Sequence, residues 1–257
     1  MRNFRAVFFI LFIAGLVAGA YPGFAVEETK GTAVAEEKAP VAGEEKATAP
    51  AAEEEQGPTA DEALALLKEG NARFVAMKME HPGANGARRE ETAANGQKPF
   101  AVVLGCSESR VPVEMIFDRG IGDIFTVRVA GNIAVESSVI GSLEYAAGHL
   151  HVPLLVILAH TQCGVAGAAV SGEKLEGSLA DIQEQFKSVV KEVKLQHPDL
   201  TNAAFVNAVA KQNAFQVERD LRANSEIVRN LADQGELRIV LANYDIKTGK
   251  VEWLEEK

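Results

Sequence analysis

The sequence predicts an α/β domain with a mainly parallel, four-stranded sheet flanked by helices. Three observations support this fold class: apolar runs of strand length, helical segments between them, and a composition that is 47% apolar over 257 residues, enough for a sizeable core. Runs that are apolar throughout are typical of strands buried on both faces, as in parallel sheets. Strands that alternate with helices imply right-handed crossovers, which cover both faces of the sheet.

The domain is predicted to begin near Thr59, where the first helix starts. Thr59 and Glu62 have the spacing of a capping box, and an apolar helical stripe follows as far as Val75. The polar, glycine-rich stretch 81–96 is interpreted as a loop, and the last helix is expected to stop at Gly235. The remaining predicted elements are strands at 100–104, 124–129, 154–159 and 237–242, and helices at 137–150, 179–193, 202–223 and 224–234.

Two segments precede the domain. Residues 1–25 have the features of a signal peptide: two arginines near the start, the apolar run 6–20, which is short for a membrane span, and a small-x-small site ending at Ala25. An uncleaved membrane anchor is the alternative. Residues 26–58 are predicted to be a disordered acidic linker rich in Ala, Glu and Pro, with nine Glu against three Lys. The sequence therefore predicts a periplasmic or secreted protein, with no stable membrane span after signal cleavage.

The formal net charge of -10 excludes some classes of partner. Nucleic-acid binding requires clustered Lys and Arg side chains, so no nucleic-acid partner is expected. Electrostatic capture by anionic lipid is disfavoured for the same reason. The chain has two cysteines, too few for a disulfide scaffold.

Reactive side chains follow two of the predicted strands directly. The segment CSESR (106–110) comes after the first strand, and HTQCG (160–164) comes after the third. Parallel sheets place functional groups at such strand ends. Two thiolates and an imidazole suit zinc, so Cys106, His160 and Cys163 are predicted to bind Zn²⁺, with a fourth position left for water as in catalytic sites. A disulfide between the two cysteines is the alternative in an exported protein.

From about residue 59 to residue 254, the chain resembles a β-class carbonic anhydrase. The segments CSESR and HTQCG carry the resemblance. Supporting stretches are GNARF (70–74), QKPFAVVLGC (97–106), FTVRVAGN (125–132), GSLEYA (141–146) and YDIKTGKV (244–251). The resemblance implies that residues 59–257 are a catalytic domain on a four-stranded, mainly parallel sheet. It also implies zinc-dependent, reversible hydration of carbon dioxide to bicarbonate and a proton by zinc-bound hydroxide, in a homodimer or higher homo-oligomer.

The resemblance implies roles for five further residues. Glu108 and Arg110 match the acid–arginine pair of the family and would be catalytic. Gln97 matches a residue that donates a hydrogen bond to the bound substrate or product. Phe125 and Tyr145 match apolar walls of the carbon dioxide pocket. In the family, the last three residues would come largely from the neighbouring subunit.

Glu108 departs from the family pattern C-S-D-S-R, which has an aspartate at this position. In the family, pairing with arginine keeps the carboxylate off zinc, and a carboxylate released from that pair can occupy the fourth metal position. Glutamate is one methylene longer, so Glu108 can either pair with Arg110 or reach the metal. One alternative is therefore a weakly active or non-catalytic zinc protein. A second alternative is a hydrolase of carbon disulfide or carbonyl sulfide on the same scaffold, for which access to the pocket would decide the substrate. Val103 stands where some members have the Trp of an inhibitory bicarbonate site, so that regulation is predicted to be absent.

Overall fold

The computed structural model describes residues 57–254 and has a single five-stranded sheet within them, in the order β2-β1-β3-β4-β5. The strands are β1 (Ala101–Cys106), β2 (Ile124–Val129), β3 (Leu154–His160), β4 (Arg238–Tyr244) and β5 (Val251–Leu254). The first four strands are parallel to one another, and β5 is antiparallel to β4. The predicted α/β class is confirmed, but the sheet has five strands and not four. The predicted signal peptide and nearly all of the predicted linker lie outside the described residues.

Nine α-helices accompany the sheet between residues 57 and 254. They are α1 (Ala60–Val75), α2 (Gly86–Asn95), α3 (Val113–Ile116), α4 (Ser137–Glu144), α5 (Gly164–Ser171), α6 (Ser178–Gln185), α7 (Lys187–Gln196), α8 (Asn202–Asn224) and α9 (Glu226–Asp233). A 3-10 turn, Ala130–Asn132, follows β2, and a π-helical turn, Tyr145–His149, continues α4. Across this described range, no helix has both the length and the apolar character needed to cross a bilayer.

The first helix begins as the sequence predicts. The Thr59 hydroxyl accepts a hydrogen bond from the backbone N–H of Glu62, and the Glu62 carboxylate accepts one from the backbone N–H of Thr59. This reciprocal capping box satisfies N–H groups that a helix start leaves without partners.

Two predictions about helices are wrong. The stretch 81–96, interpreted as a loop, contains α2, whose N-cap Asn85 accepts a hydrogen bond from the backbone N–H of Arg88. No residue of α2 is buried, so the helix has no apolar stripe that would have revealed it. The predicted single helix 179–193 is divided into α6 and α7, which meet at the fully buried Phe186.

Strand β3 lies at the centre of the sheet and is buried along its whole length. Its alternate side chains enter two different hydrophobic clusters, with Leu155 and Ile157 in one and Val156 and Leu158 in the other. The first cluster includes residues of α4, α8 and α9, and the second includes residues of α1 and α3. Helices therefore cover both faces of the sheet, and the carboxyl ends of β1 and β3 meet side by side.

Candidate metal centre

Three potential metal ligands lie together at the carboxyl end of the sheet. Cys106 is the last residue of β1, His160 is the last residue of β3, and Cys163 is the N-cap of α5. Strands β1 and β3 are hydrogen-bonded neighbours, so their ends are adjacent. The two sulfurs and a ring nitrogen of His160 all lie within 4.8 Å of one another. The structure thus brings together the three side chains that the sequence singled out.

A tight turn carries the chain from His160 to Cys163. Gln162, within this turn, has a φ of 58°, in the left-handed region that residues other than glycine rarely adopt. Its backbone N–H donates a hydrogen bond of 2.8 Å to Oδ1 of Asn207 on α8, which holds this conformation. Helix α5 then begins at Gly164. Two intervening residues are therefore enough to aim both ligand side chains at one point.

The imidazole of His160 is oriented as a metal ligand would be. Its Nδ1 lies 2.8 Å from the carbonyl oxygen of Thr161. A carbonyl oxygen only accepts, so Nδ1 carries the hydrogen and Nε2 presents a lone pair. Nε2 is buried and has no hydrogen-bond partner among the described residues. Histidines that bind metals typically donate their other ring N–H to a carbonyl or carboxylate, so this arrangement fits a cation at Nε2.

Both cysteines of the cluster are buried and free, so the structure does not contain the disulfide considered as an alternative. The hydrogen bond from the Cys163 thiol lowers the pKa of Cys106, and the backbone N–H of Gly131 acts in the same direction against the effect of burial. The pKa of Cys163 is raised, because it gives its hydrogen to the Cys106 sulfur and because it is buried. One thiolate therefore forms readily in the pair, and a bound cation would stabilise the second.

The carboxylate of Glu108 is paired with Arg110 through both of its oxygens. Nε of Arg110 donates to Oε1 at 2.9 Å, and Nη2 donates to Oε2 at 3.0 Å. These hydrogen bonds lower the pKa of Glu108 to about 2, so the side chain is an anion across the physiological range. Gln162 Oε1 accepts a further, longer hydrogen bond from Nη1 of Arg110 at 3.4 Å. Glu108 thus faces Arg110 and does not join the three-residue metal cluster.

The three residues assigned to the substrate pocket lie away from this chain's own metal centre. Gln97 is exposed and precedes β1, at the end of the strand opposite Cys106. Phe125 lies four residues before Val129, the register partner of Cys106, which is about 13 Å along the strand. The ring of Tyr145 lies with its centroid 6.0 Å from that of Phe125, and the residue is 44% exposed. Within one chain, Gln97 and Phe125 therefore lie too far from the carboxyl end of the sheet to contact a ligand held at the cysteines, and Tyr145 packs beside Phe125.

Several contributors to the site were missed by the sequence reasoning. Arg128 donates hydrogen bonds from Nε to the carbonyl oxygen of Cys106 at 2.9 Å and from Nη2 to that of Glu108 at 2.6 Å, and so holds the segment after β1. Gly131 donates its backbone N–H to the Cys106 sulfur at 3.4 Å. Both residues lie in the FTVRVAGN stretch, which indicated the family but no role for either of them. Asn207, which holds Gln162, had no sequence signal.

A cavity of about 350 Å³ lies beside the 3-10 turn, but it is separate from the metal cluster. Its walls come from the end of β2, the turn and segment that follow it, the start of α4, and α6: Val129, Ala130, Ile133, Val135, Glu136, Ser138, Val139, Ser178, Asp181, Ile182 and Gln185. None of the three candidate metal ligands lines it. The chemistry of the donor set, and not cavity size, identifies the candidate site.

Comparisons with known proteins agree with this arrangement. A family model described as carbonic anhydrase matches residues 101–251. Carbonic anhydrase 2 of Mycobacterium tuberculosis (strain H37Rv) is 39% identical over 188 residues, covering 72% of this chain and 87% of that protein. The carbonic anhydrase of Mycolicibacterium smegmatis is 37% identical over 193 residues, covering 72% of this chain and 89% of the relative.

Solved structures point the same way. One of two tetrameric β-carbonic anhydrases from Sordaria macrospora superposes with a TM-score of 0.61 at 25% identity, covering 76% of this chain and 96% of that chain. The β-carbonic anhydrase CafA of Aspergillus fumigatus has a TM-score of 0.60 at 29% identity, covering 76% of this chain and 90% of that chain. The chain therefore belongs to the β-carbonic anhydrase family of enzymes.

Proposed function

We propose that this protein catalyses the reversible hydration of carbon dioxide to bicarbonate and a proton, with Zn²⁺ held by Cys106, His160 and Cys163. The observation that carries the proposal is the buried pair of sulfurs beside a histidine whose Nε2 lone pair has no partner among the described residues. This donor set suits zinc, and three protein ligands leave a position open for water. When bound, zinc would lower the pKa of a coordinated water toward neutrality, an effect for which carbonic anhydrase is the standard example.

Glu108 and Arg110 are proposed to orient the reacting water. The Glu108 carboxylate is an anion that follows a metal ligand by two residues, and it retains lone pairs beyond those used by Arg110. It can therefore accept a hydrogen bond from the reacting water. Because Arg110 engages both oxygens, it holds the carboxylate away from the position that must stay open. This pairing argues against the alternative in which Glu108 blocks the metal.

The active protein is proposed to be a homodimer or higher homo-oligomer. Gln97 and Phe125 lie too far from the chain's own cysteines to serve them, and Tyr145 packs beside Phe125, so a second copy would have to supply all three. Tyr145 is 44% exposed, so the surface around it, near the amino end of β2, is available for contact with a second copy. The two Sordaria macrospora relatives are described as tetrameric, which agrees with assembly.

Export is the remaining part of the proposal. The arginines, apolar run and small-x-small site of residues 1–25 support removal of a signal peptide, with 26–58 as a linker ahead of the domain at 59–257 and a periplasmic or secreted location. Sequencing the amino terminus of the mature protein tests this, since an intact Met1 would contradict cleavage.

Metal content and gas hydration, measured on the same samples, test the proposed function. We expect one zinc per chain in the wild type and rapid carbon dioxide hydration by stopped flow, with both lost in Cys163→Ser because a ligand is removed. Parallel assays with carbon disulfide and carbonyl sulfide identify the preferred gas. If the wild type is silent toward carbon dioxide at every pH while Glu108→Asp is active, the non-catalytic alternative is correct. Full activity in Cys163→Ser would remove Cys163 from the ligand set.

A further inference from the structure

We propose that Asn213 is a positioning residue of the metal centre, acting through the main chain of Gly131 on the sulfur of Cys106. The inference rests on the proposed zinc site. Asn213 lies on α8, 82 residues along the chain from Gly131, and is 2% exposed. Its Nδ2 donates a hydrogen bond of 3.0 Å to the carbonyl oxygen of Gly131. The backbone N–H of the same glycine donates to Sγ of Cys106 at 3.4 Å. Asn213 thus reaches the metal ligand through one intervening residue.

Gly131 needs an external contact to hold its orientation. Its φ of 72° lies in the left-handed region, where glycine is favoured and its backbone is otherwise free to rotate. A Cβ at this position would lie 2.9 Å from Cε2 of Phe186, so the turn is packed closely between the cysteine and that ring. The Asn213 amide fixes the carbonyl end of the residue, and this directs the N–H end at the sulfur. Without the amide, a buried carbonyl would lose its side-chain donor, which is costly.

The N–H directed at Cys106 changes what that sulfur does as a ligand. A hydrogen bond to a thiolate withdraws electron density, so the sulfur donates less charge to a bound cation. Two thiolate ligands donate much charge and weaken the acidity of a metal. A hydrogen bond on one of them acts in the opposite direction and helps the metal to activate water. Asn213 is therefore assigned a role in tuning the metal, beyond its place in the core.

Helix α8 is suited to this role because it touches both ligand-bearing segments. Asn207 on the same helix accepts the hydrogen bond from the backbone N–H of Gln162 between His160 and Cys163. Asn213 holds the turn that contacts Cys106. One rigid helix of 23 residues thus supports the sulfur of β1 and the turn after β3 at the same time.

Cobalt-substituted protein tests the inference, because the energy of the thiolate-to-cobalt charge-transfer band reports electron density on the sulfurs. In Asn213→Leu, which replaces the amide by an apolar group of similar size, we expect the band to move to lower energy because the sulfur carries more electron density. Zinc affinity should fall about 10-fold because the turn no longer holds the ligand in place, which is the usual effect of losing a hydrogen bond that orients a metal ligand. Asn224→Leu is the matched control, since exposed Asn224 on the same helix donates to the Asp220 carbonyl at 2.8 Å and lies outside the site. Its band and affinity should equal those of the wild type.

The results separate this inference from the proposed function. If Asn213→Leu binds cobalt with the wild-type band and affinity, the inference is wrong while the zinc site stands. A wild type that binds neither zinc nor cobalt overturns both. Should Asn213→Leu fail to fold, Asn213→Ala is measured instead, and the wild-type protein loaded with ¹¹³Cd gives an independent check. Scalar coupling between the Gly131 amide proton and ¹¹³Cd through the sulfur supports the inference, and its absence overturns it.

Discussion

The carboxylate of Glu108 lies two residues after a candidate metal ligand, and its partners determine whether the ligand set keeps an open position. The additional methylene of glutamate, relative to aspartate, does not prevent a two-pronged pair with Arg110. Arg110 is itself half exposed, so this pair is accessible to solvent and to substitution. Its guanidinium presents two N–H groups in a fixed geometry, which a lysine could not reproduce.

Replacing Arg110 by alanine is expected to release Glu108. The zinc should remain bound, because its three ligands are untouched, but carbon dioxide hydration should fall by on the order of 100-fold, as when a positioned acid–base group is lost. The cobalt spectrum should change as the freed carboxylate approaches the metal. Arg222→Ala is the control, since it removes an arginine that pairs with Glu218 on α8, outside the metal cluster. Wild-type turnover in Arg110→Ala would contradict the assigned role.

The pH dependence of Glu108 follows from the same pair. Because Arg110 lowers its folded-state pKa from 4.5 to about 2, the pair stabilises the folded protein above about pH 4.5 and loses that contribution as the pH falls toward 2. We expect the ¹³C carboxyl resonance of Glu108, assigned with Glu108→Gln, to keep its ionised shift at pH 3.5. In Arg110→Gln the same resonance should titrate near the ordinary value. A wild-type midpoint above 4 would contradict the pairing in solution.

At the level of elements, the sequence predicted what depends on local pattern. The four parallel strands were recognised because each is a short, predominantly apolar run, and the ligand residues were located because they follow the runs of β1 and β3 directly. Strand β5 was missed because it is short and its exposed Glu252 interrupts the apolar pattern. The conformation of Gln162 was not predictable, since its partner Asn207 lies 45 residues away. Contacts between distant segments, rather than propensities, complete the site.

The 3-10 turn after β2 gives a prediction at this scale. Gly131 and Gly172 both have a φ of 72°, but a Cβ on Gly131 meets the Phe186 ring while one on Gly172 meets nothing within 4 Å. Gly172→Ala should therefore cost only the left-handed strain of about 1 kcal/mol. Gly131→Ala should lower the free energy of unfolding by roughly 1–3 kcal/mol more, because the core is overpacked. Denaturant unfolding of both variants measures the difference, and equal losses would contradict the close packing.

At the scale of the whole molecule, the two ends of the sheet carry different parts of the proposed site. The carboxyl end holds the ligand cluster and the Glu108–Arg110 pair, and the opposite end presents Gln97 with Phe125 and Tyr145 nearby. A parallel sheet fixes this separation, because all four strands run the same way. The sequence assigned these residues to one pocket only through the family resemblance. In the proposed site, their combination requires two chains.

Mixed oligomers test whether those residues act across a subunit boundary. Chains carrying Cys163→Ser lack a proposed metal ligand, and chains carrying Gln97→Ala lack the proposed substrate donor. The two variants are co-expressed, each with a different affinity tag, and the mixed assemblies are purified through both tags. These assemblies should regain activity. Each metal centre of the Gln97→Ala chain then faces an intact Gln97 from its neighbour, so a mixed dimer has one complete site and about half the wild-type rate per dimer.

The pairing of Cys163→Ser with Arg110→Ala provides the control for this complementation. Arg110 acts on Glu108 of its own chain, so no site in that mixture is complete and no activity should return. If activity returns in the mixture of Cys163→Ser with Gln97→Ala but not in the mixture of Cys163→Ser with Arg110→Ala, Gln97 serves the neighbouring chain. If the first mixture is no more active than the mean of its two parent oligomers, Gln97 serves no neighbouring site. Phe125, about 13 Å along β2 from the level of Cys106, would then also be too far from the metal centre to take part in the reaction.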